Sequence, residues 1–148
     1  LLNLNNPVNA LSGLPLRAEL MERGYRRCFA ALMEEALGVL SRAGIAPAQV
    51  AALPPRRLLA ILRLPSPLFR IVAARMLKID AKARSSMADD LALGRRTEVD
   101  ALSGEVVRLA QAHGVQAPRN AKMVELLDVW PAQPKKLTPA QMVEALGL

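Results

Sequence analysis

The chain has 148 residues, a net charge of +7, a hydrophobic fraction of 52% and only four aromatic residues (one Trp, one Tyr, two Phe). That size supports one domain with a real hydrophobic core, and that apolar content excludes a disordered tail. One cysteine excludes an internal disulfide, and a lone histidine leaves too few ligands for the usual zinc cluster.

Leucine and alanine dominate, while the residues that favour strands are few. The expected fold is therefore all-α. The opening "LLNLNNPVNALSG" puts Leu4, Val8 and Leu11 on one helical stripe and Asn5, Asn6 and Asn9 on another. Asparagine is a poor helix former, so these residues cost stability. Gly13 and Pro15 end the segment.

Residues 16–43 are the longest helical candidate, with Leu20, Met21, Tyr25, Cys28, Leu32, Ala36 and Val39 at helical spacing. Gly24 weakens or interrupts this run, and Gly44 stops it. Cys28 reads as a buried thiol in a reducing, cytoplasmic setting. Glu34 and Glu35 read as one solvated charge and one capping or pairing charge, not as an acid–base pair.

Prolines then punctuate short helices expected at 47–53, 55–63 and 66–79. No apolar run is long enough for a bilayer, and the N-terminus lacks the layout of a signal peptide. The arginines are scattered in pairs such as Arg26-Arg27, Arg56-Arg57 and Arg95-Arg96, which describes a solvated surface, not a nucleic-acid footprint.

The stretch Ser85–Val115 starts a helix twice. Ser86 with Asp89, and Thr97 with Asp100, each have capping-box spacing, and Gly94 between them ends the first helix. Val99, Leu102, Val106 and Leu109 form an apolar stripe that His113 continues to Gly114, so His113 reads as a packed or helix-terminal residue. In an unbroken helix Ser86 and Glu98 would stand about 18 Å apart on different faces. A bend at Gly94 lets both border one pocket, each at a helix N-terminus where anions are favoured. A capping serine and a first-turn glutamate need no further purpose, so both readings stand on these residues alone. Near the end, Thr138, Pro139 and Gln141 make a capping box for a last helix; "PAQV" at 47 echoes it without making a repeat.

The pattern Ser86-Met87, Asp90, Arg95, Thr97-Glu98-Val99-Asp100, Gly104, Gly114-Val115 and Pro118-Arg119-Asn120 resembles the signature of the C-terminal domain of ketopantoate reductases (2-dehydropantoate 2-reductases). "NLNNPVNAL" is similar to the asparagine-bearing helix that opens that domain. The resemblance spans residues 1–128, leaving 129–148 as a C-terminal extension with a short helix. It implies the helical half of a two-domain, 6-phosphogluconate dehydrogenase-like reductase. The whole enzyme would reduce a 2-keto acid, foremost 2-dehydropantoate, on the route to pantothenate and coenzyme A.

The resemblance also implies site roles. Ser86 contacts the substrate carboxylate end, and Asn3 and Asn6 hold the substrate, with Asn9 an alternative for the second. Glu98 orders the site as a catalytic residue and touches the cofactor. The family's general-acid lysine stands four residues before the first asparagine, a position that falls just before Leu1; Lys78, Lys82 and Lys122 do not fit it. Some members carry a substrate-binding asparagine near Leu16, which this chain lacks. NADP(H) would be bound mainly by an N-terminal Rossmann domain, for which this chain has no Gly-x-Gly-x-x-Gly; no two of its glycines stand two apart. The chain is therefore expected to be a helical fragment, inactive alone, with the Rossmann half and a small 2-keto acid as partners. No metal, nucleic acid or membrane is expected. Apolar surface left by the absent half would favour self-association, a homodimer included. The competing expectation is a non-enzymatic helical interaction module.

Overall fold

The computed structural model describes residues 1–47, 53–76 and 82–148. Every regular element among them is helical. A 3-10 turn, Leu2–Leu4, runs into α1 (Asn5–Ser12), which Gly13 closes in the left-handed region at φ 66. The long run expected over 16–43 is two helices, α2 (Leu16–Met21) and α3 (Arg23–Arg42). Glu22 between them is extended (φ −86, ψ 117). Gly24 follows because the chain's end packs there: a Cβ on Gly24 would lie 2.6 Å from Cβ of Pro139.

Helix α3 is the axis of the core. Cys28, Leu32, Met33 and Ala36 on it are buried, each of the larger ones contributing about 2 kcal/mol of apolar burial. It packs against α1, α2, α4 (Pro55–Leu62), α7 (Glu105–Ala112), α8 (Pro118–Asp128) and α9 (Pro139–Ala145). Helices α4 and α5 (Ser66–Met76) follow the proline starts read from sequence, while the helix expected at 47–53 and the end of the one expected at 66–79 lie largely outside the described residues. Arg26 clamps this corner. Fully buried, it donates to the carbonyls of Leu20, Met21, Leu62 and Leu64 and to Ser66 Oγ, and it lies 4.1 Å from the Phe69 ring centre. The guanidinium thus satisfies carbonyls that the ends of α2 and α4 leave without partners.

The acidic pair on α3 divides its work as expected. Glu34 is exposed and pairs with Arg63. Glu35 accepts from the backbone N–H groups of Arg119 and Asn120 at the start of α8, and from the Asn120 side chain. At the far end, Thr138 and Gln141 form the capping box of α9. That helix docks on α3, and the approach to it is held by Leu137 N–H to the Leu11 carbonyl and by the Tyr25 hydroxyl to the Leu137 carbonyl. Among the described residues no helix is long and apolar enough to cross a membrane.

Candidate functional site around the start of the chain

Helix α6 (Ser86–Ala92) begins one residue away from where the capping box placed its cap. Ser85, not Ser86, is the N-cap: its hydroxyl accepts from Ala88 N–H at 3.2 Å. The choice between two adjacent serines is made by a distant residue. Asn9 Oδ1 accepts from Ser85 N–H at 2.9 Å, which fixes the backbone just before α6 against α1. Ser85 Oγ also leans to the Asn6 carbonyl at 3.4 Å. Ser86 is consequently exposed in the first turn, with its hydroxyl not spent on the cap.

The break at Gly94 is present. Gly94 takes φ +65, its N–H bonds to the Leu91 carbonyl, and Arg95 N–H bonds to that of Asp90. This is the paired closure of a glycine-terminated helix. The second start differs from the sequence reading. Thr97 does not cap; regular structure begins at Val99 and passes through a π-turn, Asp100–Gly104, that feeds α7 directly. The Arg108 guanidinium donates to the Asp100 carbonyl at 2.8 Å and braces the turn. Glu98 is exposed at the bend just before it. His113 is the exposed C-terminal cap of α7, a helix-terminal residue.

The leading segment meets both ends of this loop. Helix α1 packs on α6, and the 3-10 turn packs on the π-turn that follows Glu98. The Asn6 carbonyl thus meets the cap residue Ser85. Asn3, exposed, lines a groove with Ala101, Leu102 and Glu105 on the Glu98 side. Neither Ser86 nor Glu98 lines that groove or the cavity that Asn6 borders.

Asn9 does not serve as a candidate substrate ligand. It is fully buried, its Nδ2 donates to the Leu14 carbonyl at 2.9 Å and to Glu19 Oε2 at 3.2 Å, and its Oδ1 holds Ser85. Its amide is used up inside the fold, so the alternative that placed it at the substrate is corrected. The partner it shares, Glu19, escaped the sequence reading. Glu19 is fully buried and also receives Asn5 Nδ2 at 3.0 Å. Burial raises its carboxyl to about 7, although the two amides pull the other way. The available signal was a carboxylate among Ala18, Leu20 and Met21, opposite asparagines four residues apart.

Cys28 is buried and free, and burial pushes its thiol up to about 12, which is the chemistry of an inert core thiol. Lys122 is engaged by Glu125 at 2.6 Å on α8, and Lys78 lies outside the described residues. No group of residues that would hold a metal ion occurs among the described residues. Nor do they contain a strand leading through a glycine loop into a helix, so they do not fit a dinucleotide's pyrophosphate.

With this geometry in hand, comparison with known proteins is specific. Residues 1–130 match the family model described as the C-terminal domain of PanE/ApbA ketopantoate reductase. The chain is 41% identical over 51 residues to a 2-dehydropantoate 2-reductase of Shigella flexneri, and 36% identical over 52 residues to one of Yersinia pestis. These stretches take in 33% and 35% of this chain and 17% of each enzyme. A crystal structure of a PanE/ApbA-family ketopantoate reductase from Ralstonia eutropha superposes with a TM-score of 0.63 at 27% identity, covering 89% of this chain and 39% of that one.

Proposed function

The chain belongs to the ketopantoate reductase family, and from that premise we propose that it is the substrate-binding helical domain of an NADPH-dependent 2-keto acid reductase. The substrate that fits best is 2-dehydropantoate, reduced to pantoate. NADPH and the proton-donating lysine belong, in this reading, to a dinucleotide-binding domain and the segment that joins it to this one. The chain alone then binds substrate without turning it over.

The observation that carries the reading is the division of labour between two serines. Ser85 performs the capping, so Ser86 keeps an exposed side chain, free of the cap, in the first turn of the helix that packs on α1, the helix of Asn6. Neutral hydroxyl and amide donors suit a carboxylate without burying a lone charge. Asn6 and Asn3 supply the amides and Glu98 flanks them across the Gly94 bend, where it orders the site and approaches the cofactor.

The test is a titration of the 148-residue protein with 2-dehydropantoate, followed by amide NMR shifts. Saturable shifts are expected at Asn6, Ser86 and Met87, with affinity about tenfold weaker in Ser86→Ala, the loss of about 1.4 kcal/mol from one hydrogen bond to a charged group. Shifts that avoid Ser86, or an unchanged affinity in the variant, would refute the assignment. NADPH absorbance should stay constant when the same protein is mixed with both compounds; steady oxidation would overturn the division between domains.

A further inference from the structure

Residues 36–79 hold seven of the chain's 20 Lys and Arg and none of its 13 Asp and Glu. The rest of the chain carries 13 of each, so the whole net charge of +7 falls on this one stretch. Its described helices are α4 and α5. Arg56, Arg57, Arg63 and Arg70, on and between them, are exposed, and of these only Arg63 forms an ion pair among the described residues, with Glu34 of α3. Arg26 adds a buried positive charge at the same corner. Its hydrogen bonds go to the carbonyls of Leu20, Met21, Leu62 and Leu64 and to Ser66 Oγ, none of which carries a charge. A buried cation is screened less than one in water, so the field at this surface is positive. The same corner exposes apolar side chains. Leu68 and Ile71, three residues apart and so on one face of α5, are 52% and 60% exposed. Neither lines the cavity that Asn6 borders. Exposed aliphatic side chains in a stretch rich in arginine and free of carboxylates have the composition of a protein interface.

We propose that the outward face of α5 docks a separate protein through an acidic surface with an apolar centre. Charge decides the sign of the partner, since a second copy meeting by the same face would set arginine against arginine. Residue type decides its class. Every cation in residues 36–77 is an arginine, whose planar fork pairs with a carboxylate through two bonds at once. Two aliphatic side chains are too few to anchor a helix in a bilayer. The one aromatic residue of α5, Phe69, is buried, so no ring is offered to a nucleic-acid base. The proposal holds whether or not the reductase reading does, because it uses neither Ser86 nor Glu98.

The test titrates the unmodified protein with a synthetic helical peptide of glutamate and leucine, followed by methyl NMR. Leu68 and Ile71 should shift saturably, with affinity falling as salt is raised. A peptide of the same charge with serine in place of leucine should bind at least about tenfold more weakly, because the two aliphatic side chains lose their contact. Ile71→Ser should weaken the first peptide by a similar factor, and Arg70→Gln by about threefold. Lys135→Gln, which removes an exposed charge elsewhere, should leave the affinity unchanged. All three substitutions lie at the surface and should preserve the circular dichroism spectrum. Equal binding of the two peptides, or an equal loss in Lys135→Gln and Arg70→Gln, would overturn the proposal by reducing the face to net charge. Absence of saturable shifts would overturn it as well. So would movement of the two methyl signals with protein concentration alone, which means a second copy. Phosphatidylglycerol vesicles that broaden Leu68 and Ile71 more readily than the peptide shifts them would replace the protein partner by a membrane. If a variant does not fold, the contrast between the two peptides on the unmodified chain still decides.

Discussion

The Glu19 carboxyl makes the stability of this domain depend on pH in a direction opposite to most carboxylates. Unfolded, Glu19 releases its proton at the ordinary 4.5; folded, burial holds it to about 7. Between those values the native chain binds more protons than the unfolded one, so stability falls as pH rises. The stabilisation is complete below 4.5, is lost on the way to about 7, and over that interval amounts to about 3 kcal/mol. Glu19→Gln isolates it. The glutamine oxygen can still accept from the Asn5 and Asn9 amides, and its NH2 stays neutral at every pH. Urea unfolding at pH 4.5 and pH 8, followed by circular dichroism, should give near-equal stabilities at the acid value. At pH 8 the variant should be more stable by about 3 kcal/mol, or about 10 °C in Tm for a chain of this length. A wild-type-minus-variant difference that stays constant across the range would refute the argument that an uncompensated buried carboxyl sits at this position.

Two further outcomes follow from packing. Gly24→Ala places a methyl 2.6 Å from Pro139 Cβ and 3.2 Å from its backbone, so α9 must shift from α3; a loss of about 1–3 kcal/mol is expected, with hydrogen exchange of the α9 amides rising first. Cys28, with its thiol pushed up to about 12 by burial, should resist a disulfide reagent at pH 8 until the protein is unfolded in urea, and native-state labelling at the rate of a free thiol would contradict its placement in the core.

Much of the helical architecture was legible because its signals are local. The Thr138–Pro139–Gln141 start, the Gly94 stop and the split between Glu34 and Glu35 all depend on residues a few positions apart or on ordinary helix-end chemistry. What escaped depends on contacts across the chain. Ser85 and Ser86 are equivalent caps until Asn9, 76 residues earlier, takes the Ser85 N–H. The break at Glu22 goes with a glycine that admits Pro139, more than a hundred residues later. Thr97 looked like a cap because the pattern assumes an α-helix, whereas the turn after Val99 is wider and is braced by Arg108.

The asparagines show why the site was only half readable. Their cost to helix α1 signalled a purpose but not which purpose each served. The structure divides them by burial. Asn5 and Asn9, four residues apart on one face, turn inward to Glu19. Asn3 and Asn6 stay accessible. The inward pair also acts on the exposed residues, because Asn9, by holding Ser85, goes with that serine being the cap and so leaves the Ser86 hydroxyl outside the cap. A change at Asn9 should therefore disturb ligand binding at Ser86 without Asn9 ever touching the ligand. The buried cluster thus ties α1 to α2 through Glu19 and to the start of α6 through Ser85, and under the proposed reductase reading its loss should be felt at the exposed residues and not through any contact of its own with substrate.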